Sequence, residues 1–162
     1  MKLSILNYID GTTLFTGDFN NVKDMLETAV YEGVSLAYAD LSGVDLSGID
    51  LYNPRKTWKG ARLVGALLCG SDLSDSNLSC ADLTRANAAG VNFSGCTLKG
   101  AYLTEANFFR ADLSRTILTP MACRHANFTK AKLHNSRVVI LEKSQRSLTE
   151  AANSHITFRK AA

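Results

Sequence analysis

Cysteine is scarce, four residues in 162, and Cys69, Cys80, Cys96 and Cys123 form no CxxC pair. That spacing lends little support to a disulfide scaffold or a zinc site, so reduced thiols are expected. Long apolar runs are missing too: none approaches the ~20 residues of a membrane span, and polar Asn7 and Asp10 interrupt the N-terminus before signal-peptide length. A soluble, cytoplasmic protein with no membrane contact is therefore expected. Charge of one sign is also in short supply, because 18 Lys plus Arg face 15 Asp plus Glu, a net +3. So weak a balance does not by itself indicate nucleic acid. Catalytic signatures are absent: no GK[ST] follows the glycines of Gly60 to Gly70, and His125, His134 and His155 lack helical i,i+4 pairing. No enzyme activity, cofactor or metal is expected.

What the chain does have is a repeat of five. Leu41, Leu46 and Leu51, then Leu63, Leu68, Leu73, Leu78 and Leu83, stand five apart, and the register continues to Val138. Of twenty such centres from Leu36 to Val138, fourteen are Leu and three are Phe (Phe93, Phe108, Phe128). Two residues before the centre sits a small residue, Ala in ten of the twenty cases, and one before is usually Asp or Asn. Five matches neither the helical period of 3.6 nor the strand period of 2, but residues i−2 and i share one side of an extended segment. If each pentapeptide also turns a corner, the chain winds into a coil whose bore holds the Leu or Phe and the small residue. Successive coils then stack at about 4.8 Å. No single repeat buries its own apolar face, so the stack is the stable unit.

Ala39-Asp40-Leu41-Ser42-Gly43, Ala81-Asp82-Leu83-Thr84-Arg85 and Ala111-Asp112-Leu113-Ser114-Arg115 resemble the units of pentapeptide-repeat proteins. The resemblance implies an all-β fold, a right-handed quadrilateral β-helix (β-solenoid) of about five coils and roughly 24 Å in length. Residues 1–33 are expected to form a small α+β cap. Leu3–Tyr8 and Thr12–Phe15 flank the hairpin signal Asp10-Gly11, and Asn20 or Asn21 caps a helix that Gly33 stops. This leader is similar to that of phage and prophage members. Residues 34–138 form the β-helix, and 139–162 a C-terminal cap or tail with a short helix opened by Ser147-Leu148-Thr149-Glu150. In relatives such a helix pairs two rods, which implies a possible route to a homodimer.

Three departures matter. The spacing from Leu51 to Leu63 is twelve rather than ten, so a bulge with two extra residues is expected within 52–59. Met121 and Cys123 reverse the small-then-large order, which reads as a volume-conserving exchange inside the core. Ala88 is a small centre between Leu68 and Phe108, leaving space that a Phe can fill.

Two clusters are candidates for partner binding. Arg55, Lys56, Trp58, Lys59 and Arg62 bring hot-spot residue types to the bulge, although Trp58 could instead plug the bore. Arg110, Arg115, Arg124 and Lys130 lie in the last coils, where residues 84–138 carry eight bases and two acids, against four bases and six acids over 34–83. Twenty residues per coil place Arg110 beside Lys130, and Arg85 beside Glu105. Phe109 and Tyr102 fall at outward positions. The expected function is a non-catalytic protein-binding rod, phage-derived, that modulates or inhibits a host macromolecular machine. Alternatives are a DNA-mimic modulator of the topoisomerase DNA gyrase, as in quinolone-resistance members, direct nucleic-acid binding by the basic coils, and a structural virion protein.

Overall fold

The computed structural model describes residues 1–51, 58–119 and 121–138. Strand β1 (Lys2–Leu6) pairs antiparallel with β2 (Thr13–Asp18). Between them Gly11 adopts a left-handed φ of 73°, and the Asp10 carboxylate accepts from the Thr12 amide (3.0 Å) and hydroxyl (2.7 Å). Helix α1 (Val22–Glu32) starts at Asn21, whose side chain accepts from the Asp24 amide, and ends at left-handed Gly33. Its apolar residues Met25, Leu26, Ala29 and Val30 are buried. The Lys23 ammonium reaches the Ser47 carbonyl (2.5 Å) and ties the helix to the first coil. The hairpin is joined to that coil through an antiparallel bridge between Asn7 and Ala39 and the bonds Tyr8 N to Tyr38 O and Asp40 N to Leu6 O.

From Leu36 onward the chain winds. Parallel bridges link residues 22 apart at first (Asp40 to Arg62, Asp45 to Leu67, Asp50 to Asp72) and 20 apart thereafter (Arg62 to Asp82, Leu67 to Asn87 and onward). Four pentapeptides therefore complete one coil and make four walls. Their stacked centres are Leu41, Leu63, Leu83, Leu103 and Cys123 on wall 1, then Leu46, Leu68, Ala88, Phe108 and Phe128 on wall 2. Wall 3 stacks Leu51, Leu73, Phe93, Leu113 and Leu133. Wall 4 stacks Trp58, Leu78, Leu98, Leu118 and Val138, and the last two close the short parallel strands β3 (Ile117–Leu118) and β4 (Arg137–Val138). All these centres are buried. Full burial of one Leu or Phe side chain is worth about 1.5–3 kcal/mol, so the filled bore holds the stack together.

Among the described residues the regular corner is a turn in which the third residue after a centre donates to that centre's carbonyl, as Ala86 N does to Leu83 O (3.0 Å). The second residue after the centre lies at positive φ, which makes the turn type II. The Asp or Asn before each centre accepts the amide two residues on, as Asp82 does from Thr84 (3.0 Å) and Asp112 from Ser114 (3.0 Å). That bond explains why the repeat favours Asp and Asn there.

Of the two sequence readings of Trp58, contact residue on the bulge or plug of the bore, its burial selects the second. Its amide donates to Asn77 O and its carbonyl accepts from Ala61, as Leu78 does with Thr97 and Ala81 one coil on. Trp58 is thus a centre, and the two extra residues fall between Leu51 and Trp58. Met121 also differs from expectation. It is 61 % exposed rather than exchanged into the core, while Cys123 is buried as the centre. The reason is a slip in the ladder: the Met121 amide donates to Ala101 O, the place that Tyr102 takes against Ala81 one coil earlier. Around Ala88, the Phe93 ring lies 5.8 Å from that of Phe108, which in turn stacks on Phe128 at 5.0 Å and 2°. The C-terminal helix and the dimerisation tail expected over 139–162 lie outside the described residues.

Candidate interaction surface

The corner geometry decides where charge projects. Left-handed φ suits glycine, and Gly43, Gly48, Gly65, Gly70 and Gly90 occupy corners of the first three levels. From the third level on the same position is also held by Arg85, Glu105, Arg110, Arg115, His125 and Lys130, with φ between 56° and 61°. These side chains stand at the edges of the rod, pointing away from the bore.

Arg85 and Glu105 form the ion pair anticipated from their spacing, at 2.9 Å. Lys132 pairs with Asp112 at 3.3 Å. Arg110 and Lys130 follow each other along the edge after wall 2, and both lie over the ring of Phe109, at 5.0 and 5.9 Å from its centroid. The other members of this cluster are not gathered with them. Arg115 is exposed one corner further on, and Arg124 is exposed at the corner after wall 1. Beside the Arg110 edge, the Asn87, Asn107 and Asn127 amides form a ladder, each side chain donating to the one before at 3.1 and 3.0 Å.

The bulge cluster is dispersed differently. Trp58 is 1 % exposed and has no face to offer a partner. Arg62 is committed to the cap, paired with Asp40 at 3.4 Å and lying over the Tyr8 ring at 5.2 Å. Lys59 is exposed, and Arg55 and Lys56 lie outside the described residues. The Phe109 contribution was hard to see in the sequence, where it reads as one scattered exposed aromatic. Its signal is the position immediately before Arg110 in a column that repeats every 20 residues.

The acidic groups serve the turns. Hydrogen bonds from Ser42 hold Asp40 below the ordinary carboxylate range, and the Ser47 amide does the same for Asp45. Partial burial pushes Asp72 and Asp112 upward, but bonds from Ser74 and Asn92, and from Ser114 and Lys132, outweigh it and leave both lowered. Burial pushes the Cys96 thiol up to about 12. Among the described residues no group of His, Cys, Asp and Glu is placed to hold a metal ion, and no helix is long and apolar enough to cross a membrane.

Residues 59–87 and 89–119 match the family described as pentapeptide repeats, in eight copies. No curated protein matches the chain. Among solved structures, a pentapeptide-repeat protein of the Arabidopsis thaliana thylakoid lumen is 28% identical over 62% of this chain and 69% of its own, with a TM-score of 0.43. Rfr23 from the cyanobacterium Cyanothece 51142 is 25% identical over 63% of this chain and 61% of its own, with a TM-score of 0.41. QnrB1, a plasmid-mediated fluoroquinolone resistance protein, is 22% identical over 67% and 66%, with a TM-score of 0.37. Pentapeptide repeats form right-handed quadrilateral β-helices, and no catalytic family is indicated. Over 59–87 and 89–119 this chain is thus similar to pentapeptide repeats, and its four-walled winding runs through both stretches.

Proposed function

We propose that this chain is a non-catalytic binding rod of the bacterial cytoplasm that docks on a protein partner and modulates the machine to which that partner belongs. The observation that carries the reading is the charge polarity of a rigid scaffold. Six acids stand against four bases over 34–83, and eight bases against two acids over 84–138. The backbone is fixed by bonds between coils at every level, so little conformational entropy is lost on docking. The Asp side chains are consumed by the turns, which favours recognition over acid–base chemistry. A phage origin belongs to the same proposal.

A DNA mimic acting on gyrase would need acids along the whole rod, and the last two levels reverse that sign. Protein tagged at one end and incubated with nuclease-treated bacterial lysate should retain one protein in stoichiometric amount. Retention of none would overturn the reading.

A further inference from the structure

We infer that the edge formed by Phe109, Arg110 and Lys130 is the docking point for an acidic protein segment that presents two carboxylates in succession; this deepens the binding-rod reading and rests on it. The edge after wall 2 carries Gly48, Gly70 and Gly90 at φ 68°, 69° and 68°, then Arg110 and Lys130 at 56° and 59°. The turn asks only for a left-handed residue, which glycine supplies without steric cost. Folding therefore does not call for two long cations here.

Electrostatics points the same way. Arg110 and Lys130 sit one coil apart, about 4.8 Å along the stack. Both lean on the one ring of Phe109, and neither has an acidic partner among the described residues. Arg62, Arg85 and Lys132 each have one. Two like charges held this close lower the energy of any anion placed between them. Above them, a Cβ at Gly70 or Gly90 would meet nothing within 4 Å, so the edge continues as a low shoulder along which an extended segment can lie.

The distribution of the other bases selects protein over nucleic acid. Arg115 stands on the next corner, Arg124 on the corner before and Arg137 on wall 4, so a duplex lying along one edge meets only a few of them. Duplex affinity grows with the number of phosphates neutralised, and two or three contacts make it weak and only mildly salt-dependent. A pair of carboxylates needs no more than this edge supplies.

The test is fluorescence anisotropy with a labelled Glu-rich peptide, its Gln-for-Glu copy and a labelled DNA duplex, each titrated with the full chain. The Glu peptide should bind best, and Arg110→Gly or Lys130→Gly should each weaken it by about tenfold. Because glycine relaxes the corner, the melting temperature of either variant should stay level or rise. Unchanged peptide affinity in the glycine variants, tighter binding of the duplex, or a lowered melting temperature would each overturn the inference. Lysate capture separates the two levels of the proposal. A partner retained equally by wild type and both glycine variants removes this edge but keeps the binding rod, whereas no capture by wild type removes the rod reading and leaves the peptide titration to judge the edge.

Discussion

Replacing Trp58 separates packing from recognition, because the two roles predict opposite results. The side chain is 1 % exposed and stands on wall 4 above Leu78, with Ala61 beside it in the bore. Trp58→Ala removes a large buried ring from the coil that carries the cap, and such truncations cost about 3–5 kcal/mol. At about 2–4 °C per kcal/mol for a chain of this size, the melting temperature should fall by roughly 6–20 °C. Trp58→Leu restores the residue type used at Leu78 and Leu98 and should recover much of the loss. This is the one tryptophan in the chain, so its fluorescence reports this position alone. Emission should be blue-shifted in the folded protein and shift red in a single step with urea. If Trp58→Ala unfolds within about 0.5 kcal/mol of wild type, the range of an ordinary surface substitution, the assignment of Trp58 to the core is wrong.

Further consequences are open to simple measurements. At Gly60 an added Cβ would sit 2.5 Å from the Tyr38 ring at φ +67°, whereas at Gly65 it would meet nothing within 4 Å at φ +66°. Urea melts should show Gly65→Ala losing about 1–2 kcal/mol from the left-handed backbone alone, with Gly60→Ala losing clearly more. Cys80 is exposed while Cys96 and Cys123 are buried, and the Cys96 thiol donates to Leu73 O with its pKa near 12. Alkylation at neutral pH, read by mass spectrometry, should therefore mark Cys80 first and reach Cys96 only on unfolding. Acid should destabilise the fold. Asp40, Asp72 and Asp112 have lowered pKa values when folded, so their contribution is complete above the unfolded value near 3.8 and is lost as pH falls below it. Melting curves below pH 4 should flatten in Asp72→Asn relative to wild type, and parallel curves would contradict this.

Most of the winding was legible because one rule, a large residue every five with a small one two before, repeats from Leu36 to Val138. Arg85 with Glu105 follows from that rule and an even coil length. Trp58 stayed open between bulge and bore because it breaks the Leu pattern at the point where the spacing changes, and its bonds to Asn77 and Ala61 identify it as a centre. Met121 misled for a related reason. Composition suggests a swap of volumes with Cys123, but the ladder slips by one donor and turns the side chain outward. At the candidate surface, the stacking of Arg110 on Lys130 was readable from the period. The shared contact with Phe109 depends on side-chain directions at a left-handed corner, which a one-dimensional pattern does not carry.

The central claim is that binding acts through the basic end of the rod. Its most direct test is capture from nuclease-treated bacterial lysate by three tagged proteins: wild type, Arg110→Glu with Lys130→Glu, and Arg55→Glu with Lys56→Glu and Lys59→Glu. The account predicts that one partner is retained by wild type and by the Arg55, Lys56 and Lys59 variant, and is lost from the Arg110 and Lys130 variant. Retention by the Arg110 and Lys130 variant, with loss from the other, would place recognition at the bulge and contradict it.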